Sequence, residues 1–153
     1  MRLLRVIGLA SALAVPARAE SADVACAVMP AQAAQVLGAT ITDVRERRNT
    51  DGGHECDYQT GIPGRSIVFV GYALPSTEAA VTRFDAEVDA NKRFYVEPPV
   101  RLQNVGDEAV AFGHVVWARR RATIVVLNVI DARHRDAALR EAEALARTAL
   151  EKA

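Results

Sequence analysis

The sequence predicts an α+β domain in which helices cover a mainly antiparallel sheet, and three observations carry that expectation. The stretch Ala122–Ile130 has only Thr123 and Asn128 as polar members, is apolar on both alternating faces and is rich in β-branched residues. Ser66–Ala73 has the same character. The segment from Asp131 to about Leu150 instead repeats Leu139, Ala142, Leu145, Ala146, Ala149 and Leu150 at helical spacing. Two strands that are apolar on both sides need covering on both sides, and amphipathic helices are the covers the chain offers.

The amino terminus comes first and stands apart. Met1–Arg5 is basic, Val6–Val15 is an apolar core, and Ala17-Arg18-Ala19 has the small-residue spacing of a cleavage site, so residues 1–19 read as a secretory signal peptide. The apolar run is too short to span a bilayer, which takes about 20 residues. Cleavage near Ala19 leaves residues 20–153 as a single α+β domain, periplasmic or secreted. The whole chain carries 19 basic and 19 acidic residues; losing Arg2, Arg5 and Arg18 leaves a mild acidic excess. That balance argues against general nucleic-acid binding, which calls for a basic surface.

Within the mature chain, Pro30–Leu37 reads as a short helix, with proline suited to its first turn and Gly38 to the position past its end. Ala39–Arg48 is a marginal, exposed strand, and Asn49–Gly53 is a turn. His54–Thr60 alternates, with His54, Cys56 and Tyr58 on the inner face and Glu55, Asp57 and Gln59 on the other. After Gly61–Gly64 comes the apolar strand Ser66–Ala73. Ser76 is suited to cap a second helix, which buries Ala80, Val81, Phe84 and Val88 and fades near Asn91. Lys92–Asn104 contains Glu97-Pro98-Pro99 and reads as an irregular connection with room for a short edge strand. Ala109–Phe112 and His114–Ala118 are strands leading to the Ala122–Ile130 run, and a long helix capped by Asp131 closes the chain. The order is α-βββ-α-βββ(β)-α, with two long helices and one short one packed on the sheet.

The two cysteines, Cys26 and Cys56, read as a disulfide in an exported domain. Closing a loop of about 31 residues contributes roughly 3.5 kcal/mol in the chain-entropy model. The residues ahead of Cys26, Asp23-Val24-Ala25, are not those of a lipid-attachment signal.

These landmarks together (an early cysteine, the helix ending Leu37-Gly38, Cys56-Asp57-Tyr58, Val105-Gly106-Asp107-Glu108-Ala109, the apolar hairpin and the final helix) resemble a group of small exported bacterial proteins of unknown function. Many of that group are lipoproteins, and they are distantly similar to the extracellular sensor domain of a mycobacterial receptor serine/threonine kinase. The chain departs from the group in lacking a lipid-attachment cysteine and in having one cysteine pair. The resemblance implies a compact extracytoplasmic domain suited to sensing or binding, and it supplies no catalytic residues.

The residues that could carry chemistry are few. His54, His114 and His134 have no metal-ligand spacing; His54 and Cys56 share a strand face and could ligate a metal only with Cys56 reduced. No nucleophile elbow, phosphate loop or H-E-x-x-H motif is present. Glu55 and Asp57 read as solvated strand charges, and Trp117 as core filling against a helix. The cluster Arg119-Arg120-Arg121 suits a tight hairpin poorly, since such turns favour Gly, Asn or Asp, so a longer loop is expected there. It is either a solvated turn or a contact for an anionic surface. Arg133 and Arg135 are cations near a helix N-terminus, where the helix dipole disfavours them.

The reading that follows is a non-catalytic binding or sensor-like module with no catalytic, cofactor or metal residues. The alternative is a cell-envelope accessory protein acting through protein contacts, with an enzyme the least favoured. The candidate binding surface is apolar strand area beside the disulfide near Tyr58, together with Arg119, Arg120 and Arg121. Its partners would be a small ligand or an envelope protein, with an anionic surface at the arginines and homodimerisation as further options.

Overall fold

The computed structural model describes residues 26, 30–131 and 134–152. The signal-peptide reading and Arg133 lie outside the described residues, as does the side chain of Arg135. The elements are α1 (Pro30–Leu37), β1 (Ile41–Arg48), β2 (His54–Thr60), β3 (Arg65–Ala73), α2 (Thr77–Asn91), β4 (Val100–Arg101), β5 (Glu108–Phe112), β6 (Val115–Arg120), β7 (Thr123–Asp131) and α3 (Arg135–Glu151). The class is α+β.

The strands form one seven-stranded sheet in the order β1-β2-β3-β7-β6-β5-β4, with every ladder antiparallel. Two sequential meanders, β1–β3 and β4–β7, meet along one seam. There β3 and β7 pair from Arg65 with Asp131 to Ala73 with Thr123. The two strands that are apolar on both faces are therefore neighbours in the middle of the sheet, with helices against both of its faces.

The helices divide between the two faces. On one, Cys56, Tyr58, Ile67, Phe69, Val125, Leu127, Val129, Val116 and Ala118 lie in one core cluster with α1 and α3. Helix α3 contributes Ala138, Ala142, Ala146 and Ala149 beside Leu145 and Leu150, and the small side chains let its axis lie close to the strands. On the other face a smaller cluster gathers Tyr72, Ile124, Val110 and Phe112 against Ala80 and Phe84 of α2. Trp117 is half-buried at its margin, and Tyr95 packs on Phe112 with ring centroids 5.1 Å apart.

Helix α2 begins as its sequence dictates: the Ser76 hydroxyl accepts a 3.1 Å hydrogen bond from the Ala79 amide. Helix α3 does not begin as expected. Asp131 is not its cap; it ends β7, and the cap position is His134, whose side chain makes no capping hydrogen bond. The cause is Arg65, directly across the seam. Its Nε stands 3.3 Å from Asp131 Oδ2 and its Nη2 donates a 2.6 Å bond to Glu141 Oε1 on α3. One half-buried guanidinium thus ties β3, β7 and α3 together. Burial pushes the Glu141 carboxyl above its ordinary range even though Arg65 opposes it, and the Asp131 charge adds to the rise.

Candidate functional site

The disulfide is formed: Cys26 and Cys56 are joined with Cα atoms 5.9 Å apart. It links Cys26, four positions ahead of the start of α1, to β2, where Cys56 is wholly buried. Tyr58, two residues on, is only 1% exposed and shares a core cluster with Ala33 and Leu37 of α1. The expectation of open apolar strand surface at Tyr58 is thereby corrected. The short helix, with Val36 and Leu37 turned inward, closes over this end of the sheet. Burial, with the Glu46 charge nearby, pushes the Tyr58 hydroxyl up to about 12.

The arginine cluster also differs from expectation. Arg120 pairs with Thr123, so the connection is a two-residue turn of Arg121 and Ala122 rather than a longer loop. Arg121 takes a left-handed φ of 50°, which costs a non-glycine residue energy. What holds it is the Val105-Gly106-Asp107-Glu108 segment. The Asp107 carboxylate accepts a 2.7 Å bond from the Arg121 amide, and the Asp107 amide donates a 2.7 Å bond to the Arg119 carbonyl. Gly106 has φ of 63°, and a Cβ there would stand 2.4 Å from that carbonyl, so the approach needs glycine. Arg119 is buried beside Asp107 and Glu108, at 3.4 Å and 3.9 Å. Arg120 donates to the Leu150 carbonyl at the end of α3. Of the three, only Arg121 is exposed.

A polar hollow of about 430 Å³ lies beside this turn, lined by Asn104, Asp107, Arg120 and Arg147 among others. Its cations are already engaged by backbone carbonyls, Arg120 by Leu150 and Arg147 by Asn104, so their charge serves the α3 terminus and the preceding loop.

A different cleft opens at the far corner of the sheet, where β4, the β5–β6 turn and the start of α3 meet. It has a volume of about 340 Å³, and Val100, Ala111 and Leu139 give it apolar walls. Three polar side chains converge on it: Glu97, His114 and Asp136. Glu97 comes from the connection that Pro98 and Pro99 keep out of the sheet, and Gly113, at φ of 59°, makes the tight bend that presents His114. Asp136 lies in the first turn of α3, where the helix dipole favours a carboxylate. An imidazole and two carboxylates over an apolar floor form an acceptor-rich pocket suited to a ligand with amine or other donor groups.

Sequence reasoning missed this site because its three polar residues come from distant segments and share no spacing. The one local signal was Gly113 directly before His114. Beside the cleft, the same connection exposes large apolar side chains: Phe94 is 82% exposed, Val96 103% and Val100 58%.

Among the described residues, the group of His, Cys, Asp or Glu side chains that converges closely enough to hold a metal ion is Cys26, His54 and Cys56. No described helix is long and apolar enough to cross a membrane. No protein-family model and no curated protein sequence matches this chain.

Proposed function

We propose that the protein is an exported, non-catalytic binding module of the sensor-like kind, with its ligand seated in the cleft between β4, the β5–β6 turn and α3. The observation that carries this reading is the convergence of Glu97, His114 and Asp136 over the apolar walls of a cleft of about 340 Å³. Sites for small molecules are concave and largely apolar, with a few polar groups that fix orientation. Two carboxylates and an imidazole favour a small organic amine. Export rests on the amino-terminal pattern of residues 1–19, and the resemblance to extracytoplasmic sensor domains accords with it.

The test is thermal denaturation against a panel of small organic amines, comparing wild type with the Glu97→Gln, Asp136→Asn double variant. A ligand at a hundred times its Kd stabilises by about 2.7 kcal/mol. The expected result is an amine that raises the wild-type Tm, with the rise lost in the double variant. A panel that leaves the wild-type Tm unmoved overturns the reading.

A second reading, an envelope accessory protein acting through protein contacts, is favoured by one observation. Phe94, Val96 and Val100 expose apolar side chains within seven residues of chain, beside the same cleft. Under that reading Phe94→Ser and Val96→Ser abolish partner binding or self-association seen by sedimentation and leave amine binding intact.

A further inference from the structure

The disulfide has a neighbour that a purely structural cross-link does not require. His54 opens β2 two residues before Cys56 and on the same face, with its side chain only 14% exposed. Burying an imidazole at the edge of a core is costlier than burying an apolar group, because its ring nitrogens must be matched. One ligand atom from each of Cys26, His54 and Cys56 lies within 4.8 Å of the others. On the opposite side of the ring, Nε2 is 3.7 Å from Glu46 Oε2, and Glu46 is the residue directly across the ladder from Cys56.

We propose that reduction of the Cys26–Cys56 bond converts this cluster into a binding site for a thiophilic d10 cation of the zinc(II) class. Cys26 and Cys56 supply thiolates, His54 supplies Nδ1, and Glu46 orients the ring through Nε2. The disulfide and the metal site are alternative states of the same three residues, so metal binding reports the redox state.

The geometry accommodates both states. Zinc holds sulfur at about 2.3 Å and nitrogen at about 2.0–2.1 Å, which places the three donor atoms of a tetrahedral site roughly 3.5–3.8 Å apart. That falls inside the 4.8 Å envelope already present. Cysteine Cα atoms 5.9 Å apart can present both sulfurs to one ion by side-chain rotation. A carboxylate on the outer nitrogen of a ligating histidine fixes its tautomer and raises its basicity, and Glu46 is placed for that.

The chemistry balances with an external dithiol as reductant. Its two sulfurs pass two electrons and two protons to the protein, the Cys26–Cys56 bond breaks to give two thiols, and the reductant leaves as a disulfide. The cation then replaces the two thiol protons, which go to solvent. Two metal–sulfur bonds and one metal–nitrogen bond form, and a water completes the coordination.

The protein is reduced with a water-soluble phosphine, which avoids the metal chelation of a dithiol, and titrated anaerobically with Co²⁺ as a spectroscopic stand-in for zinc. Expected are one equivalent bound with a thiolate-to-cobalt charge-transfer band, bleaching on addition of Zn²⁺, and no band from the unreduced protein. Glu46→Gln weakens binding about tenfold, and His54→Ala weakens it further. Far-UV circular dichroism is followed in parallel. A reduced chain that loses structure and regains it with Co²⁺ supports the site. A folded reduced chain without the band, a reduced chain that stays unfolded with Co²⁺, or a His54→Ala titration identical to wild type overturns it.

Discussion

One face of the sheet is covered by α1 and α3 and the other by α2 alone, and the two are closed to different degrees. Under α1 and α3, the central strands bury Ile67, Phe69, Val125, Leu127 and Val129 completely or almost so. Under α2 the set runs from buried Ile124 and Tyr72 to half-buried Val70, Val126 and Val68, and on to exposed Ile130. The difference lies in what each helix offers. Helix α3 presents a continuous stripe of alanine and leucine and is fastened by Arg65, whereas α2 buries only Ala80 and Phe84. One face is sealed and fastened; the other keeps a strip of sheet beside its helix.

The largest expected effect breaks the fastening of the sealed face. Arg65→Ala takes the guanidinium from the buried Asp131 carboxylate and the half-buried Glu141 carboxylate, and the expected loss is about 2–3 kcal/mol, below the cost of breaking a fully buried pair. Urea denaturation reads it; a loss below about 1 kcal/mol means α3 is held by its apolar stripe alone.

Next is alkaline pH, which probes both faces at once. Burial pushes Tyr58 on the sealed face and Tyr72 on the other up to about 12, from an ordinary 10.0. The Asp51 carboxylate, which accepts the Tyr72 hydroxyl at 3.0 Å, adds to the second shift. Between about 10 and about 12 the unfolded chain has released phenolic protons that the folded chain keeps. Stability is therefore whole below about 10 and falls as pH rises, by roughly 1–2 kcal/mol for each tyrosine once screening by solvent is allowed for. Tyr58→Phe should remove one share of that slope and Tyr72→Phe the other, measured as ΔG of unfolding against pH. A slope unchanged in both variants contradicts the burial.

The smallest effect sharpens the open face. Asn128 lies in the half-buried row between Val68 and Val115, and its Oδ1 is buried without a hydrogen-bond partner among the described residues. Asn128→Val should raise stability by about 1 kcal/mol. A loss of similar size would show that the carboxamide is satisfied in solution.

Much of this architecture is legible in the sequence because it rests on local rules. The residues of β3 and β7 announce their central position by being apolar on both faces, Ser76 announces a helix start, and the chain's two cysteines announce a disulfide. What escaped depends on residues far apart in sequence. Asp131 has the chemistry of a helix cap but is drawn into the sheet by Arg65 across the seam. Arg119–Arg121 look wrong for a tight turn until Asp107 is seen holding the Arg121 amide. Tyr58 reads as accessible because a helix of two turns is a small cover, yet Ala33 and Leu37 of that helix share one buried cluster with it. The cleft residues Glu97, His114 and Asp136 are joined by no periodicity at all.

The outer strands have a consequence for how anything can attach to this protein. A sheet edge displays unpaired amides and carbonyls, an open template on which a foreign strand could continue the ladder. At one end β1 carries Arg45, Glu46, Arg47 and Arg48 in succession, with charged side chains along the exposed border. At the other, β4 is two residues long and follows Pro98 and Pro99, which have no amide to donate. Charge on β1 and brevity at β4 each disfavour the addition of a further strand. Recognition at the β4 corner must accordingly go through side chains, so its selectivity would come from shape and charge.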